Sequence, residues 1–276
     1  MELSIKVQKN LLDFSLPKVM AIVNITPDSF YTSWGEKSVD DILKQIQNFI
    51  DLGADIIDIG ACSTRPYSTP INAEEEWKRL YPVLTAVRSH FPNAILSIDT
   101  FRAEIAEKAI LAGGDIINDV YGGEVDQEMW KTVAKYRIPY ILTLTQDLPK
   151  DSEKNGYNYT ISGVIDFFQK SLDKLHRMGV ADVILDPGFG FAKTEKENYT
   201  ILNKLDILSE LHAPVLVGIS RKSMLYKPLG LNPSDVLPAT IAANTLALER
   251  GANILRVHDV AAAKQAIAIY SLMHRI

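Results

Sequence analysis

Cysteine is almost absent from this sequence, since the 276 residues contain only Cys62. A single cysteine excludes an internal disulfide framework and is compatible with a reducing compartment. Long apolar runs are also missing, because no stretch reaches the roughly 18 residues that a membrane helix needs. The first six residues lack the charged and then apolar order of a signal peptide. We therefore expect a cytoplasmic chain that makes no contact with membranes.

Positive charge is scarce as well. The chain has 29 Lys and Arg against 34 Asp and Glu, a net charge of −5. This balance argues against a general nucleic-acid binder, which is usually basic, although it allows a local cationic pocket. A length of 276 residues fits one large domain better than two small ones, and no linker or shift in composition marks a boundary. Residues 1–276 are therefore predicted to form a single domain.

One sequence pattern occurs four times in the chain. Each copy has a glycine that ends a helix, a tight turn, a short buried strand, and polar residues where the strand ends. The copies begin at Gly53, Gly113, Gly179 and Gly251. Polar residues follow these glycines by five or seven positions: Asp58, Asn118, Asp186, Arg256 and His258. Because side chains alternate along a strand, these groups should point to one side of the sheet and form one shared site.

The alternation of strand and helix patterns predicts the fold. A short hairpin over residues 3–8 and 11–15 precedes eight strand-then-helix units. Such an alternation gives a parallel sheet, and eight units in about 250 residues is the size of a (β/α)₈ TIM barrel. The hairpin should plug the amino end of the barrel. A doubly wound open sheet is the alternative, but no G-x-G-x-x-G follows the first strand.

In a barrel, the carboxyl ends of the strands form one rim, where active sites lie. The polar strand ends should then meet at that rim: Asn24, Asp58, Asp99, Asn118, Asp186, Arg256 and His258. An aspartate or asparagine that ends a strand can instead cap the next helix. Capping explains one such residue well, but it explains a set of them on one rim poorly.

Seven short segments resemble, in order, the motifs of dihydropteroate synthases. They are Asn24–Phe30, Ser63–Pro66, Ser97–Thr100, Ile117–Val120, Leu185–Phe191, Ser220–Ser223 and Arg256–Asp259. The resemblance extends from Val19 to the last helix. It implies a transferase of folate biosynthesis that condenses 6-hydroxymethyl-7,8-dihydropterin pyrophosphate with p-aminobenzoate, giving 7,8-dihydropteroate and pyrophosphate. It also implies Mg²⁺ as cofactor, a homodimer, and an enzyme of the class that sulfonamides target.

The same resemblance assigns roles to single residues. Asp186 is expected to accept the ring N–H and the amino group of the pterin together, a strong and selective pairing for a carboxylate. Asp99, on the other side of the ring, would favour positive charge as pyrophosphate leaves in a dissociative mechanism. The residues implied to contact the pterin are Asp99, Asn118, Asp186, Lys222 and Arg256. Those implied to contact p-aminobenzoate are Thr64, Pro66, Phe191, Lys222 and Ser223. Those implied to contact the pyrophosphate are Asn24, Arg65, Arg256 and His258. Asn24 is the implied Mg²⁺ ligand, and the implied catalytic residues are Asp99, Arg256, Lys222 and Arg65.

Three positions depart from the family pattern. Cys62 replaces a glutamate, Tyr67 a glycine and Leu144 a histidine, and we expect these residues beside the loop after the second strand and at the pocket floor.

Two other functions are possible for a barrel of this kind. A pterin-binding methyltransferase module should lack the segments Ser63–Pro66 and Ser220–Ser223, and an inactive pterin-binding barrel should lack arginines such as Arg65. All of these are present.

Overall fold

Eight parallel strands form the centre of the fold, and a two-stranded antiparallel hairpin precedes them. The computed structural model describes residues 3–25, 38–62, 71–145 and 159–275. The hairpin consists of β1 (Ser4–Val7) and β2 (Asn10–Asp13). The parallel strands are β3 (Lys18–Asn24), β4 (Ile56–Gly60), β5 (Ile95–Asp99), β6 (Ile116–Asp119), β7 (Tyr140–Thr143), β8 (Val183–Asp186), β9 (Leu216–Val217) and β10 (Ile254–Val257).

The parallel sheet closes into a barrel. Its strands are ordered β8-β7-β6-β5-β4-β3-β10-β9. The two ends of this order meet, because Leu185 forms a parallel bridge with Val215 and its N–H donates to the Pro214 carbonyl at 2.8 Å. The predicted (β/α)₈ TIM barrel with a short N-terminal hairpin is thereby confirmed.

Helices surround the barrel and link successive strands. Their bounds are α1 (Val39–Asp51), α2 (Ala73–His90), α3 (Ala103–Leu111), α4 (Met129–Tyr136), α5 (Ile161–Arg177), α6 (Glu195–Asn203), a 3₁₀ helix (Leu205–Leu211), α7 (Ser223–Tyr226), α8 (Leu237–Glu249) and α9 (Val260–His274). In the part of the chain described, none of these helices has the length and apolar character to cross a membrane.

Backbone geometry explains where two of the helices end or begin. α6 ends before Lys204, whose backbone leaves the helical conformation, and the chain continues as the 3₁₀ helix. α8 begins at Leu237, with Pro238 in its first turn. Proline favours that position because its fixed φ suits a helix start and its missing N–H is not needed there.

Alternation along the strands sorts the barrel side chains into two sets. The outward set packs against the helices in the main core, which includes Val19, Ile57 and Leu96. The inward set begins with an apolar layer that packs against Ile5, Val7 and Phe14 of the hairpin segment; its members are Met20, Ile56, Ile116, Ile141, Ile184, Leu216 and Ile254. The hairpin therefore closes the amino end of the barrel, as predicted.

The repeated glycines all adopt a left-handed conformation. Their φ angles are +88° at Gly53, +105° at Gly113, +91° at Gly179 and +89° at Gly251. Glycine takes this conformation without steric cost, so each helix can end and the chain can turn directly into the next strand. The shared turn places the polar residue five positions later at the same inward level in β4, β6 and β10.

Candidate functional site

Toward the carboxyl end of the barrel, the inward-facing positions become polar. The strand register places Asp58 beside Ser97, Asp99 beside Asn118, and Thr143 beside Asp186. The buried polar residues of this interior include Asp58, Ser97, Asn118, Thr143 and Asp186. An apolar layer lies below them, so they form the floor of a site that opens at the rim.

The guanidinium of Arg256 is held by two carboxylates. Its Nε donates to Asp58 Oδ2 at 2.7 Å, and its Nη2 lies 2.6 Å from the same oxygen. Nη2 also donates to Asp99 Oδ2 at 2.7 Å. These contacts fix the plane of Arg256, and Nη1 has no hydrogen-bond partner among the residues described. A positioned guanidinium with a free donor is suited to bind phosphate oxygens.

Asp58 is the hub of this network. Its side chain is fully buried, and Oδ1 accepts from Ser97 Oγ at 2.6 Å. Its Oδ2 accepts from Asn118 Nδ2 at 3.1 Å as well as from Arg256. Sequence reasoning placed Asp58 on the rim but gave it no role. The signal was present, because Asp58 follows Gly53 by the same five positions that separate Asn118 from Gly113.

Two carboxylates of the site, Asp99 and Asp186, have raised pKa values. Burial raises the pKa of Asp99 to about 7, although Arg256 opposes the shift. Burial also raises the pKa of Asp186, against the positive charge of Lys222. Burial alone would lower the pKa of Arg256, but Asp58 and Asp99 outweigh it and raise that pKa, so the guanidinium remains charged. Asp99 can therefore change charge near neutral pH.

Asp186 ends β8 and is fixed by the loop that follows. Its Oδ1 accepts from the Gly188 N–H at 2.8 Å, and Oδ2 has no partner in the described segments. Gly188 has a φ of +67°, and a Cβ there would lie 2.2 Å from the Leu144 carbonyl oxygen. Only glycine therefore fits this turn, which leaves one carboxylate edge of Asp186 available to a ligand.

Lys222 crosses from the loop after β9 to the loop after β8. Its Nζ donates to the Phe189 carbonyl and lies 4.1 Å from the centre of the Phe191 ring. Burial lowers its pKa to about 8, although Asp186 favours the charged form. Gly190 provides the space, since a Cβ there would lie 2.7 Å from Lys222 Cδ. Ser223 is the next residue and begins α7.

Asn24 and His258 lie at the rim of the same opening. Asn24 ends β3 next to Gly60, and Gly60 in turn is paired with Asp99. His258 follows Arg256 by two positions and its Nδ1 lies 3.1 Å from Ser220 Oγ. The rim therefore adds an amide and an imidazole above the Arg256 guanidinium.

Comparisons with known proteins agree with this geometry. The sequence profile of the family described as pterin binding enzyme matches residues 20–258. The dihydropteroate synthase of Clostridium beijerinckii is 37% identical over 245 residues, which covers 88% of each chain. The chain belongs to the dihydropteroate synthase family. Dihydropteroate synthases are transferases, so the predicted enzyme class is confirmed.

Solved dihydropteroate synthases have the same fold. The enzyme of Xanthomonas albilineans with 4-aminobenzoic acid superposes with a TM-score of 0.90 at 33% identity, over 100% of both chains. The enzyme of Coxiella burnetii in complex with pteroic acid has a TM-score of 0.87 at 34% identity, over 98% of both chains. The family membership therefore rests on sequence and structure together, and it favours the synthase over the methyltransferase module.

The structure brings together most of the residues that the dihydropteroate synthase motifs suggested. Nine of them lie in or around the opening at the carboxyl end: Asn24, Asp99, Asn118, Asp186, Phe191, Lys222, Ser223, Arg256 and His258. Thr64, Arg65 and Pro66 lie outside the described residues, as does Tyr67. The roles given to these four positions remain predictions.

One expectation about the family departures is corrected. Leu144 was expected at the pocket floor, but it is fully buried in the main core between the strands and the helices. The alternation along β7 explains this, because Thr143 points inward and its neighbour must point outward. Cys62 is half-buried beyond the end of β4, and burial raises the pKa of its thiol.

Proposed function

We propose that this member of the dihydropteroate synthase family condenses 6-hydroxymethyl-7,8-dihydropterin pyrophosphate with p-aminobenzoate by a dissociative route. Family membership supports the reaction. The observation that carries the assignment of residues is the buried network in which Asp58 and Asp99 hold Arg256 beside an available edge of Asp186. That arrangement offers an acceptor for a heterocycle and a cation for its leaving group within one barrel interior.

Asp186 binds the pterin in this proposal. The ring N–H and the exocyclic amino group point in the same direction, and a carboxylate accepts both at once. The Nδ2 of Asn118 donates a hydrogen bond to Asp58, and this bond orients the Asn118 amide. The Oδ1 of Asn118 is then available to accept a hydrogen bond from a ring N–H of the pterin. Lys222 donates to the remaining ring acceptors. Donors and acceptors of the pterin are thus each matched by a group of the opposite kind.

Bond breaking comes first. The bond between the pterin methylene and the pyrophosphate oxygen breaks, and its electron pair remains on the oxygen. The negative charge of the leaving pyrophosphate is stabilised by Arg256, His258 and the predicted Arg65. The carboxylate of Asp99 favours the positive charge that develops on the ring and the methylene. The nitrogen lone pair of p-aminobenzoate then forms the new C–N bond to the methylene, and the resulting ammonium gives its proton to water or to the released pyrophosphate. No protein base has to act before the attack.

The second substrate is expected beside Phe191. The ring of Phe191 forms an apolar wall with the Lys222 ammonium 4.1 Å from its centre. A benzoate can pack on this wall while its carboxylate meets Lys222 and the hydroxyl of Ser223. Thr64 and Pro66 complete the proposed p-aminobenzoate site.

Mg²⁺ fits the rim through Asn24. No described residue hydrogen-bonds to the Asn24 side chain, so its amide oxygen can serve as a ligand. In the described ranges no group of three or more His, Cys, Asp or Glu can hold a metal, so pyrophosphate and water would supply most of the ligands. Mg²⁺ commonly binds in this way. When bound, it would neutralise charge on the leaving pyrophosphate.

A homodimer and a cytoplasmic location belong to the same proposal. On the last helix Ile267 is buried, whereas Ile269, Leu272 and Met273 are 58%, 76% and 66% exposed. Leu246 of the neighbouring α8 is 59% exposed. Large exposed apolar side chains on adjacent helices are typical of an interface between subunits. A monomeric mass by light scattering at micromolar concentration would contradict the dimer.

The proposed function is tested by following pyrophosphate release. Turnover should require the dihydropterin pyrophosphate, p-aminobenzoate and Mg²⁺ together. Arg256→Ala should lower kcat about a hundredfold or more, the scale for removing a group that stabilises charge in the transition state. Arg250→Ala, at an exposed arginine beyond α8, is the matched control and should leave kcat unchanged. Equal activity of the two variants would contradict the role given to Arg256.

A further inference from the structure

Thr143 carries a buried hydroxyl that no other residue in the described ranges uses. The residue is 1% exposed, and its Oγ1 has no hydrogen-bond partner in the structure as described. Burying a hydroxyl without a partner destabilises a protein. Native structures contain few such groups, and each calls for an explanation. One such explanation is a ligand that forms the missing hydrogen bond when it binds.

The hydroxyl lies inside the barrel, at the level of the polar residues. Thr143 is on the same face of β7 as Ile141, which belongs to the inward apolar layer. Its register partner on β8 is Asp186, and β6, which carries Asn118, lies on the other side of β7. Thr143 is therefore flanked around the barrel by the two residues proposed to hold the pterin edge.

The comparison with Ser97 shows that this is not a general property of the interior. Ser97 is equally buried on β5, but its Oγ donates to Asp58 Oδ1 at 2.6 Å. Ser97 thus belongs to the internal network, whereas no described residue pairs with Thr143 Oγ1.

We propose that Thr143 is a specificity-determining residue whose hydroxyl accepts a hydrogen bond from the exocyclic amino group of the pterin. This inference rests on the proposed function. The amino group has two N–H bonds, and the pairing with Asp186 uses only one of them together with the ring N–H. The second N–H points away from Asp186 and toward a neighbouring strand, where the hydroxyl oxygen of Thr143 can accept it. Thr143 would then select heterocycles that carry an amino group at this position.

The test compares Thr143→Val, which removes the hydroxyl at nearly constant shape, with Thr143→Ser, which keeps it. Binding of 6-hydroxymethyl-7,8-dihydropterin and of its counterpart without the amino group is measured by calorimetry on the full chain. Thr143→Val should weaken binding of the amino-bearing ligand about tenfold, the loss expected when one hydrogen bond is removed and its donor is left unpaired. Thr143→Ser should stay near the wild type, and the ligand without the amino group should bind wild type and Thr143→Val equally.

Stability of the ligand-free protein provides an independent readout. Because the hydroxyl has no partner among the described residues, Thr143→Val should unfold at a temperature no lower than the wild type. A hydroxyl with a structural role would lower that temperature when it is removed. Thr245→Val is the control, since the Thr245 hydroxyl donates to the Ile241 carbonyl on α8, and it should leave pterin affinity unchanged.

The outcomes separate this inference from the proposed function. If the wild type binds neither ligand and shows no turnover, the proposed function fails. Suppose instead that the wild type binds the pterin. If Thr143→Val then binds the pterin as tightly as the wild type does, or if this variant loses affinity for both ligands to the same extent, the inference about Thr143 is overturned and the proposed function stands. A lower unfolding temperature of ligand-free Thr143→Val would also overturn it.

Discussion

Replacing Asp58 with asparagine should disable the site without touching any atom proposed to contact substrate. The substitution keeps the shape of the side chain and an oxygen that can accept from Ser97. It removes the negative charge that Arg256 Nε and Nη2 approach at 2.7 and 2.6 Å. It also turns an amide N–H₂ or a neutral oxygen toward the guanidinium, so Arg256 keeps only Asp99 as a charged partner.

The magnitude follows from the burial of the pair. Breaking a buried ion pair by removing one partner costs about 3–5 kcal/mol. Arg256 is 18% exposed and retains Asp99, so we expect the lower end, about 3 kcal/mol of folding stability. A shift of the guanidinium by about 1 Å would lower kcat/KM by about a hundredfold. The negative charge of Asp58 helps to raise the pKa of Asp99, so this pKa should fall in the variant.

The assay combines chemical denaturation with pyrophosphate release, and Asp115→Asn is the matched control. Asp115 precedes β6 at the amino end of the barrel, is 9% exposed, and pairs with Arg88 at 2.5 Å. Its replacement should cost similar stability but leave kcat/KM unchanged. Wild-type kcat/KM in Asp58→Asn would refute the positioning role, and so would an equal loss of kcat/KM in Asp115→Asn.

Two further predictions concern the charge and the shape of the site. The pKa of Asp99 is raised to about 7 and that of Lys222 is lowered to about 8. The value of kcat/KM should therefore rise with pH as Asp99 ionises and fall again as Lys222 loses its proton. Asp99→Asn should remove the rise on the acid side, and an unchanged pH profile in that variant would contradict the role given to Asp99. Gly190→Ala should raise KM for p-aminobenzoate about tenfold, because one methyl group displaces Lys222. Gly230→Ala has a similar positive φ but no neighbour within 4 Å, so it should cost stability alone, and equal KM values in the two variants would count against the role of Lys222.

The fold and the end of the barrel that carries the site could be predicted from local sequence signals. A glycine at each helix end and a polar residue five positions later are short-range features, and short-range features determine where a strand begins and which face each side chain takes. The same alternation shows why Leu144 was misplaced, since its neighbour Thr143 had to point inward.

The hydrogen-bond network could not be predicted in the same way. Arg256 and Asp58 are 198 positions apart and meet only because the barrel closes. One oxygen of Asp58 accepts a hydrogen bond from Ser97 and the other accepts from Arg256. This division depends on the stagger of neighbouring strands, which the residue pattern does not encode. The lack of a partner for the Thr143 hydroxyl among the described residues likewise depends on which side chains the fold places around it.

The pairing between Asp186 and the pterin can be measured directly by titrating the full chain with 6-hydroxymethyl-7,8-dihydropterin. The wild type should bind one ligand per chain. Asp186→Asn should weaken binding at least about a hundredfold, because two hydrogen bonds to a charged acceptor are lost and an N–H group faces the donors of the ligand. Asp182→Asn, at the amino end of the same strand, should bind as the wild type does. Equal affinity of Asp186→Asn and the wild type would contradict the account.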